Sequence, residues 1–275
     1  MRKVDRTTVS YPNKLQNLTP VNLGHLRDHT KISGDVYGHA DVLDSLNELY
    51  FDKCYICESD VSSGEFNVEH YLPKKHFPHL GYSWENLHKA CEGCNLAKES
   101  KDFFIYDSNS ICVDIKLLDP SSTVYNVYDY IRFNIDSVAE SVPIGTDADI
   151  KLKASNTIKY LNGKYKSEYG KELKFLRSQK ANQFLRFCND KLYKYRDRIR
   201  DIKLLGAGGY VAPTNGEDLE ADQDLCQVLI NVDGTYLADK APFSTCTKAQ
   251  LFPTLRITYQ ELFDIKENMR AILGL

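Results

Sequence analysis

The chain has 275 residues, of which 42% are hydrophobic and 27% charged, proportions that exclude wholesale disorder and leave room for a sizeable core. No stretch approaches the ~20 apolar residues of a membrane span. The opening MRKVDRTTVSYPNKL also lacks the apolar centre of an export signal, so the expected location is the cytoplasm. A net charge of −3 and a pI near 6.2 do not by themselves advertise a nucleic-acid binder.

In chain order, residues 1–50 read as a helical segment. Val42, Leu43, Leu46, Leu49 and Tyr50 fall at helical spacing. Residues 51–119 hold four cysteines in two pairs, four of the seven histidines and the sole tryptophan, Trp84. They end at Asp119-Pro120, a turn signal. The third segment, 120–275, is predicted to be mainly helical. It opens with a strand-favouring stretch over 120–145 that carries Val124, Tyr125, Val127, Tyr128, Tyr130, Ile131 and Phe133. From Asp147 to about Leu205 the pattern is helical, with a break near Asn162-Gly163. Gly206-Ala-Gly-Gly209 and Pro213-Thr-Asn-Gly216 form a loop that matches no phosphate-binding fingerprint. An acidic stretch follows, and an amphipathic helix closes the chain from about Tyr259 to Leu273. The predicted class is α+β.

Charge is unevenly spread. Residues 151–205 carry 16 Lys and Arg against 5 Asp and Glu, a net +11 that leaves −14 for the remainder. Tyr160, Tyr165, Tyr169, Phe175, Phe184, Tyr193 and Tyr195 are interleaved with these bases. Such a block can grip phosphates or an acidic partner face, with Lys191, Lys194, Arg196, Arg198 and Arg200 as its densest run. A solvated helix face is the plainer alternative.

Cysteine spacing is the sharpest signal. Cys54-Tyr-Ile-Cys57 and Cys91-Glu-Gly-Cys94 stand 33 residues apart. In a reducing compartment, two matched CxxC pairs point to one tetrahedral zinc held by four thiolates. Such a closed soft-ligand site is structural. Cys112, Cys188, Cys226 and Cys246 are scattered singly and read as small buried hydrophobes.

Between the pairs lie Glu69-His70-Tyr-Leu-Pro73-Lys74, then Trp84-Glu-Asn86-Leu87, and Asn95 directly follows the last cysteine, with Lys98 three residues on. In this order the residues resemble the HNH endonucleases, whose core is a β-hairpin and a helix around one catalytic divalent ion. The resemblance implies a ββα-metal core stapled by zinc within about 54–101. It makes His70 the general base, Asn86 the holder of the loop that orients it, and Glu69 and Asn95 ligands of Mg²⁺ or Mn²⁺. A hard ion held by one carboxylate and one amide oxygen keeps positions for phosphate and water. Lys98 would contact nucleic acid from the helix that carries Asn95. His76, His79 and His88 are secondary candidates for contacts within the site.

The wording Val-Glu-His-Tyr-Leu-Pro-Lys and the Thr157-Ile158-x-x-Leu161-Asn162 pattern further resemble HNH proteins of Septu-type and retron-associated anti-phage systems. That resemblance implies a partner ATPase of the ABC/SMC type and, in retron versions, a reverse transcriptase with its DNA. Two other readings stay open: a zinc-stapled binding module without nuclease activity, and a stand-alone restriction or homing-type nuclease. The residues do not distinguish DNA from RNA.

Overall fold

The computed structural model describes residues 1–29, 31–62, 66–98, 103–164, 173–206 and 208–275. Their contacts divide the chain into two compact units. One comprises 1–132 with 138–174, and the other 133–137 with 175–275. The architecture is α+β, with helices dominating and every strand pair short.

The first unit opens with α1 (Asn13–Gln16), α2 (Pro20–Arg27), α3 (Gly34–Tyr37) and α4 (Ala40–Tyr50). The 3.6-residue spacing read from the sequence buries Val42, Leu46, Leu49 and Tyr50 on one side of α4. Phe51 and Asp52 then take left-handed backbone, with φ of 52° and 55°, which ends the helix and turns the chain into the first cysteine pair.

Strand β1 (Asn67–His70) pairs antiparallel with β2 (Leu87–Ala90), placing Glu69 opposite His88 and His70 opposite Leu87. All four residues of β2 are buried, so this strand lies under the unit rather than at its rim. Helix α5 (Glu92–Lys98) follows β2 and packs back on β1, completing a hairpin and helix.

A second hairpin, β3 (Phe104–Tyr106) with β4 (Cys112–Ile115), has a register irregularity at Ile105/Tyr106. The sequence pattern had not marked it, because its strands are only three and four residues long. The stretch 120–145 is less extended than its β-branched and aromatic content predicts. Only β5 (Ile131–Phe133) and β6 (Ala139–Ser141) form strands there. Val127–Asp129 is a 3₁₀ turn whose Asn126 side chain accepts from Tyr128 N, a local side-chain bond that competes with strand pairing.

Helix α6 (Ala148–Lys159) begins where the sequence placed it, with Asp147 accepting from Ile150 N at 2.9 Å. Thr157 is fully buried and its hydroxyl accepts from Leu118 N at 2.9 Å. The predicted interruption falls at Gly163, whose φ of 89° suits glycine alone.

The second unit is helical: α7 (Leu173–Phe187, within this unit from Phe175), α8 (Arg196–Leu205), α9 (Gly216–Val232), α10 (Ser244–Ala249), α11 (Leu251–Leu255) and α12 (Tyr259–Leu273). The acidic stretch is the start of α9, where Glu217 and Asp218 lie in the first turn and Asn215 accepts from Asp218 N. Negative charge there suits the helix dipole. Leu225, Leu229 and Val232 of α9 meet Leu262, Ile265 and Met269 of α12 and Ile199 and Ile202 of α8 in one apolar core. The four single cysteines are buried, as expected of small hydrophobes.

Candidate active site and metal centre

The metal centre is built from two turns. In the first, Glu58 N donates to Cys54 O at 3.0 Å and Cys54 N to Ser59 O at 3.0 Å, while Tyr55 N ties the turn to β2 through Lys89 O at 2.8 Å. The second turn links β2 to α5, and Cys94 N donates to Cys91 Sγ at 3.4 Å. The four sulfurs lie within 4.8 Å of one another, and Cys57 and Cys91 Sγ are 3.9 Å apart. A tetrahedral zinc with Zn–S of ~2.3 Å needs sulfurs ~3.8 Å apart, so the donor set fits. Burial pushes the Cys54 thiol well up, and the neighbouring thiols do the same to Cys94. Hydrogen bonds from the same neighbours pull the Cys91 thiol down, so the group favours one thiolate, and a full set of four would need a cation among them. The Cys₄ group is the sole cluster of its kind among the described residues.

His70 ends β1 and is 6% exposed. Its Nε2 lies 2.9 Å from Gly81 O. A carbonyl only accepts, so Nε2 carries the proton and Nδ1 keeps its lone pair in the neutral ring. Burial pulls the pKa down to about 4, with Lys74 and Lys98 acting in the same sense and the Gly81 carbonyl against it. The ring is therefore an unprotonated acceptor at neutral pH. Tyr37 of α3 packs edge-on against it at 4.8 Å between centroids.

Asn86 governs the loop that carries Gly81. Its Oδ1 accepts from Leu72 N at 2.7 Å, and its Nδ2 donates to Leu72 O at 3.0 Å and Leu80 O at 3.2 Å. Both ends of the 72–80 excursion are thus pinned to one amide, one residue short of the carbonyl that holds His70.

Glu69, His70, Asn95 and Lys98 line one cleft of about 940 Å³. Asn95 is half-buried on α5. Lys98 does not project into solvent. It is 1% exposed, forms an ion pair with Glu69 and donates to His70 O at 2.5 Å. Among the oxygen-bearing side chains that line the cleft, the carboxylate of Glu69 and the amide of Asn95 are of the kind that would suit a hard divalent ion. The Lys98 ammonium already occupies one side of the carboxylate.

The remaining histidines separate cleanly. His76 lines the cleft and His79 is exposed. His88 is fully buried in a polar network with Tyr50 OH at 2.6 Å and Arg6 at 3.3 Å. Burial, followed by the charge of Arg6, drives its pKa well below the ordinary value, so it belongs to the framework. Sequence reasoning missed Tyr37, Lys75, Phe104 and Tyr106, which also line the cleft. Only the Lys74-Lys75 pair after Pro73 carried a signal that could have been read.

The basic block is divided by the unit boundary, and Tyr165, Lys166, Tyr169 and Lys171 lie outside the described residues. In the second unit, Arg198 makes a two-pronged pair with buried Asp222 at 2.9 and 2.5 Å. Lys194 pairs with Asp224, Arg196 with Asp197, and Arg200 with Asp197 and Asp201. Lys191 is exposed.

The HNH endonuclease family matches residues 54–101, the stretch that holds this strand pair, the helix and the Cys₄ cluster. The chain is similar to the Septu protein PtuB of Bacillus thuringiensis, 31% identical over 93 residues. The match covers 33% of this chain and 36% of that protein, so the chain spans about a third of its relative's length. No solved structure matches the chain. No helix among the described residues is long and apolar enough to cross a membrane.

Proposed function

We propose that this protein is a metal-dependent HNH endonuclease that hydrolyses phosphodiester bonds in nucleic acid. The observation that carries the reading is His70: recessed, neutral, with its protonated nitrogen tied to Gly81 O and its other nitrogen left to accept. That is the state a general base needs to take a proton from an attacking water. Glu69 and Asn95 would hold a Mg²⁺ or Mn²⁺ ion in the same cleft. When bound, that ion supplies positive charge at the phosphate. Asn86 keeps the 72–80 loop, and through it the histidine, in register. Zinc at Cys54, Cys57, Cys91 and Cys94 would tie the turn after α4 to the junction of β2 and α5 and do no chemistry.

The Septu name of the relative supports a place in an anti-phage defence system; the resemblance in sequence, not that name, is what suggests an ABC/SMC-type ATPase partner and, in a retron setting, a reverse transcriptase. Lys191, Lys194, Arg196, Arg198 and Arg200 remain proposed contacts to nucleic acid or partner. The internal pairing of Arg198 makes it the least available of the five. The Glu69–Lys98 pair favours the binding-module reading, because it neutralises the carboxylate without a metal ion.

One experiment decides between them: nicking of supercoiled plasmid with Mg²⁺ or Mn²⁺ by the full chain and by His70→Ala. Cleavage lost in the variant at unchanged zinc content supports the nuclease. Equal behaviour of the two proteins overturns it. Co-purification with the product of a neighbouring ATPase gene tests the defence-system assignment.

A further inference from the structure

The walls of the cleft are as informative as its floor. Phe104 and Tyr106 stand two residues apart on β3, with ring centroids 6.3 Å apart. His76 meets both edge-on, at 5.4 Å from Phe104 and 6.3 Å from Tyr106. Tyr106 is 42% exposed, so part of its ring is open to a ligand in the cleft. Lys74 and Lys75 share this lining; Lys74 Nζ lies over the Tyr37 ring at 4.3 Å and donates to its hydroxyl, and Lys75 is exposed, so the cleft carries two positive charges. At the floor, His70 is 6% exposed and Lys98 only 1%.

These features suit one kind of substrate. In a regular duplex the base faces are stacked away and only the backbone and groove edges meet a protein. An aromatic wall gains little from that surface. An unpaired strand presents both what the wall can stack on and what the lysines can neutralise.

We propose that the cleft above His70 takes single-stranded nucleic acid, with a base stacked on Tyr106 beside Phe104 and His76, and with Lys74 and Lys75 holding its phosphates. This rests on the nuclease reading for the meaning of His70, but the gripping wall is a separate set of residues.

The test is fluorescence anisotropy with the full chain in the His70→Ala background, so that nothing is cut. The probes are a short labelled DNA strand, the same sequence as RNA, and the blunt DNA duplex. At least one single strand should bind about tenfold or more tightly than the duplex. Tyr106→Ala should lower that affinity about tenfold, the scale of one lost stacking contact, with melting temperature and zinc content unchanged. Tyr106→Trp should retain it. Lys74→Ala with Lys75→Ala should flatten the salt dependence by about 0.7 per lost phosphate contact.

Duplex binding as tight as that of both strands, or a Tyr106→Ala variant that binds like its parent, overturns the proposal. Comparing the DNA and RNA arms shows which sugar the cleft prefers. Cutting by the His70-intact chain that depends on His70 but occurs on duplex alone sinks this inference and leaves the nuclease standing. Tyr106-dependent strand binding with no cutting of any probe does the reverse.

Discussion

The two units reach order by different routes. In the second, α8, α9 and α12 contribute amphipathic faces to one apolar core, and its buried charges are paired within it: Asp222 with Arg198 and Tyr210, Asp233 with Lys266 and Tyr259. In the first, residues 54–98 form strands of four residues and a helix of seven, too short to hold themselves together. Four sulfurs there do what helix packing does elsewhere. Of the polar groups buried nearby, His70 and Lys98 line a cleft, and Asn86 pins the 72–80 loop. A metal staple allows chemistry-bearing residues to crowd a small frame that an apolar core alone would not support.

The largest effect follows from that contrast. Stripping zinc with a chelator, or Cys54→Ser, should cost the first unit on the order of 10 kcal/mol, the apparent scale of structural zinc binding. Trp84, 2% exposed, reports this unit alone. Its emission should shift red while most of the helical circular dichroism persists. Simultaneous loss of both signals would show that the units do not separate.

Next in size is catalysis. His70→Ala should reduce cleavage by ~10²-fold or more, with the Trp84 transition and zinc content near those of the parent. Asn95→Ala should instead raise the Mg²⁺ or Mn²⁺ concentration needed for cutting. An unchanged metal dependence would remove Asn95 from the ligand set.

In the second unit, Asp222→Ala leaves Arg198 and the buried Tyr210 hydroxyl without their acceptor, and should cost about 3 kcal/mol in urea unfolding. The loss should be seen by circular dichroism and be small by Trp84 fluorescence. A large shift in the tryptophan signal would blur the division between the units.

The smallest effect concerns pH. His70 is held near 4 in the folded chain, below the ordinary 6.5 of the unfolded one. The unfolded state therefore binds the extra proton first. The stabilisation is fully present above pH 6.5 and is lost as pH falls toward 4, by roughly 1–2 kcal/mol at pH 5. His70→Gln should remove that part of the slope. Cleavage should likewise hold its rate below pH 6.5, and an acid limb centred on 6.5 would show the ring to be more open than its burial implies.

Much of the site was legible because its signals are local. CxxC pairs, an acid followed by histidine, and an asparagine after the last cysteine are short strings whose spacing is itself the chemistry. Helical periodicity likewise placed α4, α6 and α12. The hairpin β3–β4 escaped because three or four residues show no dependable alternation. The stretch 120–145 misled because β-propensity there yields to side-chain bonds within a turn.

What the sequence determined by itself, then, is a four-cysteine donor set suited to zinc and the residue types proposed for the cleft, since a soft four-thiolate site and a neutral base each demand particular side chains at near-fixed spacing. Tertiary structure decided how those groups are poised. It set Tyr37 against His70 from 33 positions away, buried Lys98 against Glu69 from 29 positions away, and brought Phe104 and Tyr106 beside the same cleft. Separations of that length carry no periodic mark along the chain. The protonation of a histidine, the pairing of a carboxylate and the facing of an aromatic ring depend on what is packed around them, and that exists only once the chain has folded.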